Sequence, residues 1–201
     1  MDKETLRGEI VRIGKQELTN PIREVKAKDE VLKYLEKEII VETLNTITNS
    51  RDHMFCTFLW MTGTRVTEAI SLKKKDINFE RHELKILWQK RKAYKYRTLA
   101  IPPALTNLLR IYTSPMKYDE ELFPFTRQNA DIIVKKWFGD GVSCHMLRHS
   151  YAINYLRQSN SSKDLLVLQR LLGHKSIQTT MKYLQIVPND MHEGLKQVSF
   201  Y

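Results

Sequence analysis

Apolar residues recur along this chain at two different periods, and the changes of period divide it into elements. From Asp29 to about Ile47 the positions Val31, Leu32, Leu35, Ile39, Ile40, Leu44 and Ile47 follow helical spacing with charged residues between them, which predicts an amphipathic helix. The run from Asp52 to Met61 is almost wholly apolar and stops at Gly63, so it predicts a helix in the middle of the core. Around Leu84, Ile86 and Trp88 the period falls to two, the pattern of a half-buried strand. A second extended run, Arg97 to Ile101, ends at Pro102-Pro103, and together they predict a β-hairpin or small antiparallel sheet. Helical spacing then returns in Pro103 to Ile111, in Gln128 to Phe138 closed by Gly139 and Gly141, and in three segments that each open on a serine able to act as N-cap. These are Ser143 or Cys144 to Gln158, Ser162 to Leu172, and Ser176 to about Val187. The first 28 residues carry many charges with weak periodicity and read as an arm or linker. The expected fold is mainly α with a small antiparallel β-sheet, an α+β domain.

Composition adds a partner to this outline. The chain has 201 residues and a 42% hydrophobic fraction, enough for a substantial core. Thirty-three Lys and Arg against 23 Asp and Glu leave a net charge of +10, which favours a polyanionic partner: nucleic acid first, an anionic membrane surface second. No apolar run approaches the roughly 18 residues of a bilayer span, and the first 30 residues lack a signal-peptide core, so a cytoplasmic location is expected. Cys56 and Cys144 have no C-x-x-C partner and read as reduced core thiols. The charge is uneven. Between Lys73 and Arg97 ten basic residues face only Asp76, Glu80 and Glu83, so this stretch holds +7 of the +10. Trp88, Tyr94 and Tyr96 lie within it. A basic hairpin of this kind is either a sheet edge guarded by lysines or a surface for DNA phosphates.

A second concentration of chemistry lies near the C-terminus. His145 and Arg148 stand three apart on a predicted helix and address the same side of it, whereas His149, adjacent to Arg148, points elsewhere and reads as structural. Leu172-Gly173-His174 and Met181-Lys182-Tyr183 follow. Upstream, Arg65 comes directly after a buried helix and the turn at Gly63, where it is either held rigidly for a ligand or paired with Glu68 three residues on. Taken singly, each of these is ordinary.

Taken in order, they are specific. The segments T-G-T-R-V-T-E-A-I-S-L-K-K-K-D-I around Arg65, K-Y-R-T-L-A-I-P from Lys95 to Pro102, H-M-L-R-H-S-Y-A around Arg148 and L-G-H-K-S-I-Q-T-T-M-K-Y ending at Tyr183 resemble the tyrosine recombinases, the phage integrase and Xer family. The resemblance runs from about Asp29 to Val187 and keeps the family's spacing, 26 positions from Arg148 to His174 and nine from His174 to Tyr183. It implies a strand-cleaving enzyme whose Tyr183 attacks a DNA phosphorus and holds the 3′ phosphate as a covalent ester. Arg65 and Arg148 would bind the non-bridging oxygens of the transition state with fixed guanidinium forks. His145 would serve the proton traffic of the tyrosine, His174 would hold the scissile phosphate, and Glu68 would orient a neighbour. A hairpin lysine protonates the departing 5′ oxygen in the family. Lys92 takes that role by its five-residue distance from Arg97, and Lys90 is the rival, because both glycines of the usual G-K-G-x-K-x-R pattern are missing from Gln89-Lys90-Arg91-Lys92-Ala93. Lys73, Lys74, Lys75, Lys90, Arg91, Lys95, Arg97 and Arg127 read as phosphate-backbone contacts. With charge balanced by protein donors, no metal or other cofactor is expected.

The same resemblance sets the expected organisation: an arm at 1–28, a catalytic domain at 29–188 and a tail at 189–201. The helical core-binding domain of about a hundred residues that usually precedes this catalytic domain is not expected from so short an arm, leaving a fragment or a minimal recombinase. The partners implied are double-stranded DNA, at the nucleoid, and other protomers in a tetrameric synapse. Two rivals remain open: a type IB topoisomerase, which shares the chemistry, and a recombinase-derived DNA-binding regulator.

Overall fold

The computed structural model describes residues 21–27, 30–90, 93–158 and 163–186. The centre is α2 (Ser50–Thr62), opened by Asn49, whose side chain accepts from the Asp52 amide at 3.0 Å, and closed by Gly63 in the left-handed region at φ 58. Met54, Phe55, Cys56, Phe58 and Leu59 on it are buried, so it is apolar on every side, as its sequence predicts. Phe55 and Phe58 meet Phe123 at 5.2 and 5.5 Å between ring centroids. Around α2 pack α1 (Lys37–Thr46), α3 (Val66–Ile70), α4 (Pro103–Tyr112), α5 (Arg127–Phe138) and α6 (Cys144–Arg157). Cys56 and Cys144 are free and buried, and burial pushes the Cys56 thiol up to about 12, so it is an inert core group.

The basic segment forms the expected sheet, with β3 (Ile77–Asn78), β4 (Glu83–Lys90) and β5 (Ala93–Ala100) antiparallel in that order. Leu84 and Ile86 turn into the core while Lys85 faces out, with its ammonium 4.4 Å from the Tyr96 ring centroid. Leu84 pairs with Leu99 and Ile86 with Arg97, a register that turns Arg97 towards the site described below.

One expected helix is divided. Residues 30–35 are not its first turns: Glu30–Leu35 is strand β2, paired antiparallel with β1 (Ile22–Ala27), which lies within the segment read as an arm, and Asp29 lies outside the described residues. The short apolar run fits both periods, and tertiary pairing decides between them. Leu32 and Tyr34 are buried on one side, Lys33 faces out, and the Leu35 amide donates to Ser150 Oγ at 2.8 Å, pinning the hairpin to α6. The C-terminal elements are α7 (Lys163–Leu172), α8 (Gln178–Met181) and a 3₁₀ turn (Lys182–Gln185). A second apolar cluster joins Leu32 and Tyr34 to Ile153, Leu168, Leu172 and Tyr183.

Gly63 is where α2 hands the chain to Arg65. A Cβ there would stand 2.2 Å from Tyr151 Cδ1, on a backbone already at positive φ. Gly63→Ala is therefore expected to lose at least about 1–3 kcal/mol of folding free energy, the usual cost of such a conformation before the steric contact is added. Urea denaturation checks it, and an unchanged midpoint would contradict the close packing of Tyr151.

Candidate active site

Arg148 is the organising residue. Ser143 caps α6 by accepting from the Met146 amide, Asp131 Oδ1 accepts from the Cys144 amide at 3.2 Å, and the resulting helix carries His145, Arg148 and His149. Arg148 is only 2% exposed, yet its donors are taken up: Nη1 donates to Gly63 O at 2.6 Å, and Nη2 to Leu172 O at 2.8 Å and towards His174 Nε2 at 3.0 Å. Burial, and after it the nearby Arg65 guanidinium, draw its pKa down to about 10, so it stays charged at neutral pH.

Arg65 precedes α3 in an extended conformation. Its backbone amide donates to Glu68 Oε2 at 2.9 Å and its Nη1 to Glu68 Oε1 at 3.2 Å, so the ion pair weighed from sequence exists. Its other role is compatible with it, because the same Nη1 reaches Leu172 O at 3.5 Å and Arg65 lines a cleft of about 470 Å³ with Thr64, Arg127, Ser143, His145 and Arg148. Glu68 is 3% exposed, a buried carboxylate among guanidinium groups.

His174 follows Gly173, which leaves α7 at φ 64. Burial, then Arg148 and Arg65, hold its pKa down to about 3, so the ring is neutral. A guanidinium can only donate, so His174 Nε2 accepts from Arg148, and Nδ1–H donates to Thr180 Oγ1 at 2.9 Å. The Tyr183 ring lies nearly parallel to that of His174, with 6.4 Å between centroids. Tyr183 is 1% exposed, and its hydroxyl stands 2.9 Å from His149 Nδ1.

His149 is the residue that sequence reasoning missed. Read from sequence as structural and pointing elsewhere, it contacts the phenol oxygen, and its ring meets that of His145 at 4.4 Å between centroids. The available signal was the i, i+4 relation between His145 and His149, which places both on one face of α6. Burial, reinforced by His145, Lys182, Arg148 and His174, lowers the His149 pKa from 6.5 to about 3. In the unfolded chain it titrates at the ordinary value, so between these limits unfolding takes up a proton. Its contribution to stability is complete above pH 6.5 and is lost as the pH falls towards 3, at up to about 1.4 kcal/mol per pH unit. Urea titrations from pH 7 to pH 4 are expected to show a steeper loss for the wild type than for His149→Asn, and equal slopes would mean that folding does not suppress this protonation.

The chain as a whole has counterparts among known proteins. The model of the phage integrase family matches residues 30–189. The chain belongs to the phage integrase family. It is 31% identical over 204 residues to the tyrosine recombinase XerA of Pyrococcus furiosus, covering 92% of this chain and 68% of that one. The catalytic domain of bacteriophage HP1 integrase superposes with a TM-score of 0.61 at 25% identity, covering 83% of this chain and 95% of that domain. The XerH recombinase, in a structure bound to its palindromic difH substrate, superposes with a TM-score of 0.59 at 25% identity over 82% of this chain and 52% of its own. The integrase-family chain thus spans about two thirds of the XerA relative and about half of XerH.

The remaining expected residues of this integrase-family domain divide three ways. Arg91 and Lys92 lie outside the described residues, as does the side chain of Lys90. Arg127, the first residue of α5, is exposed at the cleft, and Lys95 is exposed on β5, both as phosphate contacts require. Lys74, Lys75 and Arg97 depart from that expectation. Lys74 Nζ donates to Met116 O at 2.8 Å and Lys75 pairs with Asp119, while Lys73 meets Glu121 through a backbone β-bridge that does not involve its side chain. Arg97 turns inward to Glu68.

Proposed function

We propose that residues 29–188 form the catalytic domain of a site-specific DNA recombinase that cuts a strand by transferring its 3′ phosphate to Tyr183 and rejoins it by the reverse transfer. What supports this is the convergence of Arg65, Arg148 and His174 on the end of α7, beside Tyr183 and next to a cleft that admits a phosphate from outside. As the Tyr183 oxygen bonds to phosphorus and the bond to the 5′ oxygen breaks, negative charge gathers on the non-bridging oxygens. Two fixed guanidinium forks are suited to that charge, and a buried one is most effective because little water screens it. The phenol proton must leave and the 5′ oxygen must gain one. His145, exposed at the cleft, assists the first, and the hairpin lysine, Lys92 with Lys90 as rival, supplies the second.

In the conformation described, Tyr183 is buried and is not among the residues lining the cleft. Attack therefore requires the short turn Lys182–Gln185 to move when DNA binds, and a 3₁₀ turn after a four-residue helix is a small element to displace. Double-stranded DNA is the substrate in this reading, contacted by Arg127 and Lys95, with further protomers assembling in a synapse and action at the nucleoid. No helix among the described residues is long and apolar enough to cross a membrane.

The test uses nicked duplexes taken from the DNA flanking the gene, in which the fragment released by cleavage diffuses away and traps the adduct. A covalent protein–DNA band on a denaturing gel, mapped to Tyr183 by peptide analysis, is the expected result. A folded protein that binds such duplexes but forms no adduct on any of them would overturn the proposal.

A further inference from the structure

Arg97 carries more of the site than its place on a basic strand suggests. Its side chain is only 18% exposed. Nη1 donates to Leu171 O at 2.9 Å and Arg170 O at 3.3 Å, and Nη2 to Glu68 Oε2 at 3.3 Å. The carbonyls at the C-terminal end of α7 are thus shared among three guanidinium groups, with Leu172 O taken by Arg148 at 2.8 Å and by Arg65 at 3.5 Å. A helix end of this kind carries partial negative charge on carbonyls that have no partner within the helix. Glu68, holding Arg65 through both its amide and its Nη1, receives Arg97 on the oxygen that also accepts from the amide. The fit is close: a Cβ on Gly173 would stand 2.9 Å from Arg97 Nε.

We infer that Arg97 is a positioning residue for the two phosphate-binding arginines. By filling the space between Glu68 and the end of α7 it fixes the carboxylate that aims Arg65 and the carbonyls that hold Arg148. It also ties β5, the strand after the hairpin lysines, to the same point. Both Nη groups of Arg97 are engaged inside, with Glu68 and the carbonyls at the end of α7, while its buried Nε–H meets no acceptor among the described residues. The inference rests on the reading of Arg65 and Arg148 as the groups that neutralise the phosphate.

The experiment compares wild type, Arg97→Met and Arg97→Lys in three measurements. In DNA binding across a salt series, the affinity and its salt slope are expected to stay those of the wild type, whereas loss of a phosphate contact would reduce the slope by about one. In single-turnover adduct formation at saturating DNA, Arg97→Met is expected to be slower by about 100-fold, the scale of a small misplacement of catalytic groups. Arg97→Lys should recover little, since one ammonium cannot span a carboxylate and two carbonyls. Repeating the rates on a duplex whose scissile phosphate has one non-bridging oxygen replaced by methyl separates positioning from damage. That ester carries no charge for Arg65 and Arg148 to neutralise, so the deficit should shrink at least about tenfold. An equal deficit on both substrates, or a changed salt slope with an unchanged rate, would overturn the inference. Independently of turnover, the Nε–H resonances of Arg65 and Arg148 in ¹⁵N spectra should shift in Arg97→Met. Wild type that forms no adduct while those resonances shift would refute the recombinase reading and leave the positioning role standing, and unshifted resonances would refute the positioning role.

Discussion

Tyr183→Phe is expected to bind DNA as the wild type does and to form no covalent complex with it. The substitution removes one oxygen and keeps the ring that packs beside His174 and within the cluster of Leu168, Leu172 and Ile153. Loss of an active-site nucleophile lowers turnover by something on the order of a million-fold, which puts the adduct below detection on a gel. Stability should change far less. The hydroxyl lies 2.9 Å from His149 Nδ1, so its removal leaves a buried ring nitrogen without that partner, at a cost of about 1–3 kcal/mol. Fluorescence anisotropy for binding, a denaturing gel for the adduct and urea denaturation for stability separate these effects. An adduct that persists would place the nucleophile on another side chain.

Arg148→Lys is expected to lower the rate of adduct formation by about 10³- to 10⁵-fold, the range seen when an arginine that stabilises a transferring phosphoryl group is lost. The conservation of charge does not help. Arg148 spreads its donors to Gly63 O, Leu172 O and His174 Nε2, and one ammonium on a shorter stem cannot meet three acceptors lying in different directions. At 2% exposure the unmet carbonyls have no water to replace it, so about 1–3 kcal/mol of stability should go with each that stays unpaired. A lysine buried there also loses its proton more readily than an exposed one. Single-turnover kinetics and urea denaturation measure the two effects together, and a variant with near wild-type rate would remove Arg148 from the phosphate site.

Helices α5, α6 and α7 and the basic hairpin follow from periodicity and turn signals, whereas the helix expected from Ser176 to Val187 is instead the four-residue α8 and a 3₁₀ turn, with Ile177 and not Ser176 at the N-cap position. Ser143 does cap α6, and Gly63 and Gly173 leave their helices in the left-handed region. The segment 30–35 did not follow, since six residues with Leu32, Tyr34 and Leu35 apolar suit a strand as well as a helix until β1 supplies backbone partners. The site divides in the same way. The identities and order of Arg65, Arg148, His174 and Tyr183 are legible as a motif, because the chemistry of phosphate transfer restricts which side chains can serve. Arg97 and Lys75 are basic residues like their neighbours in the chain, and nothing local separates a lysine paired with Asp119 from one facing DNA, or an arginine turned to Glu68 from one turned outward.

What the amino-acid order settles in this protein is therefore the set of elements with strong local signals, the family and the residue types at its centre. What folding settles is which donors meet which acceptors. His149 beside the Tyr183 hydroxyl, three guanidinium groups on the end of α7 and Glu68 between Arg65 and Arg97 all join residues between 24 and 107 positions apart, apart from the Arg65–Glu68 contact itself. Hydrogen bonds act over about 3 Å and depend on direction, so such pairings exist only once packing has brought the partners together and excluded water from between them.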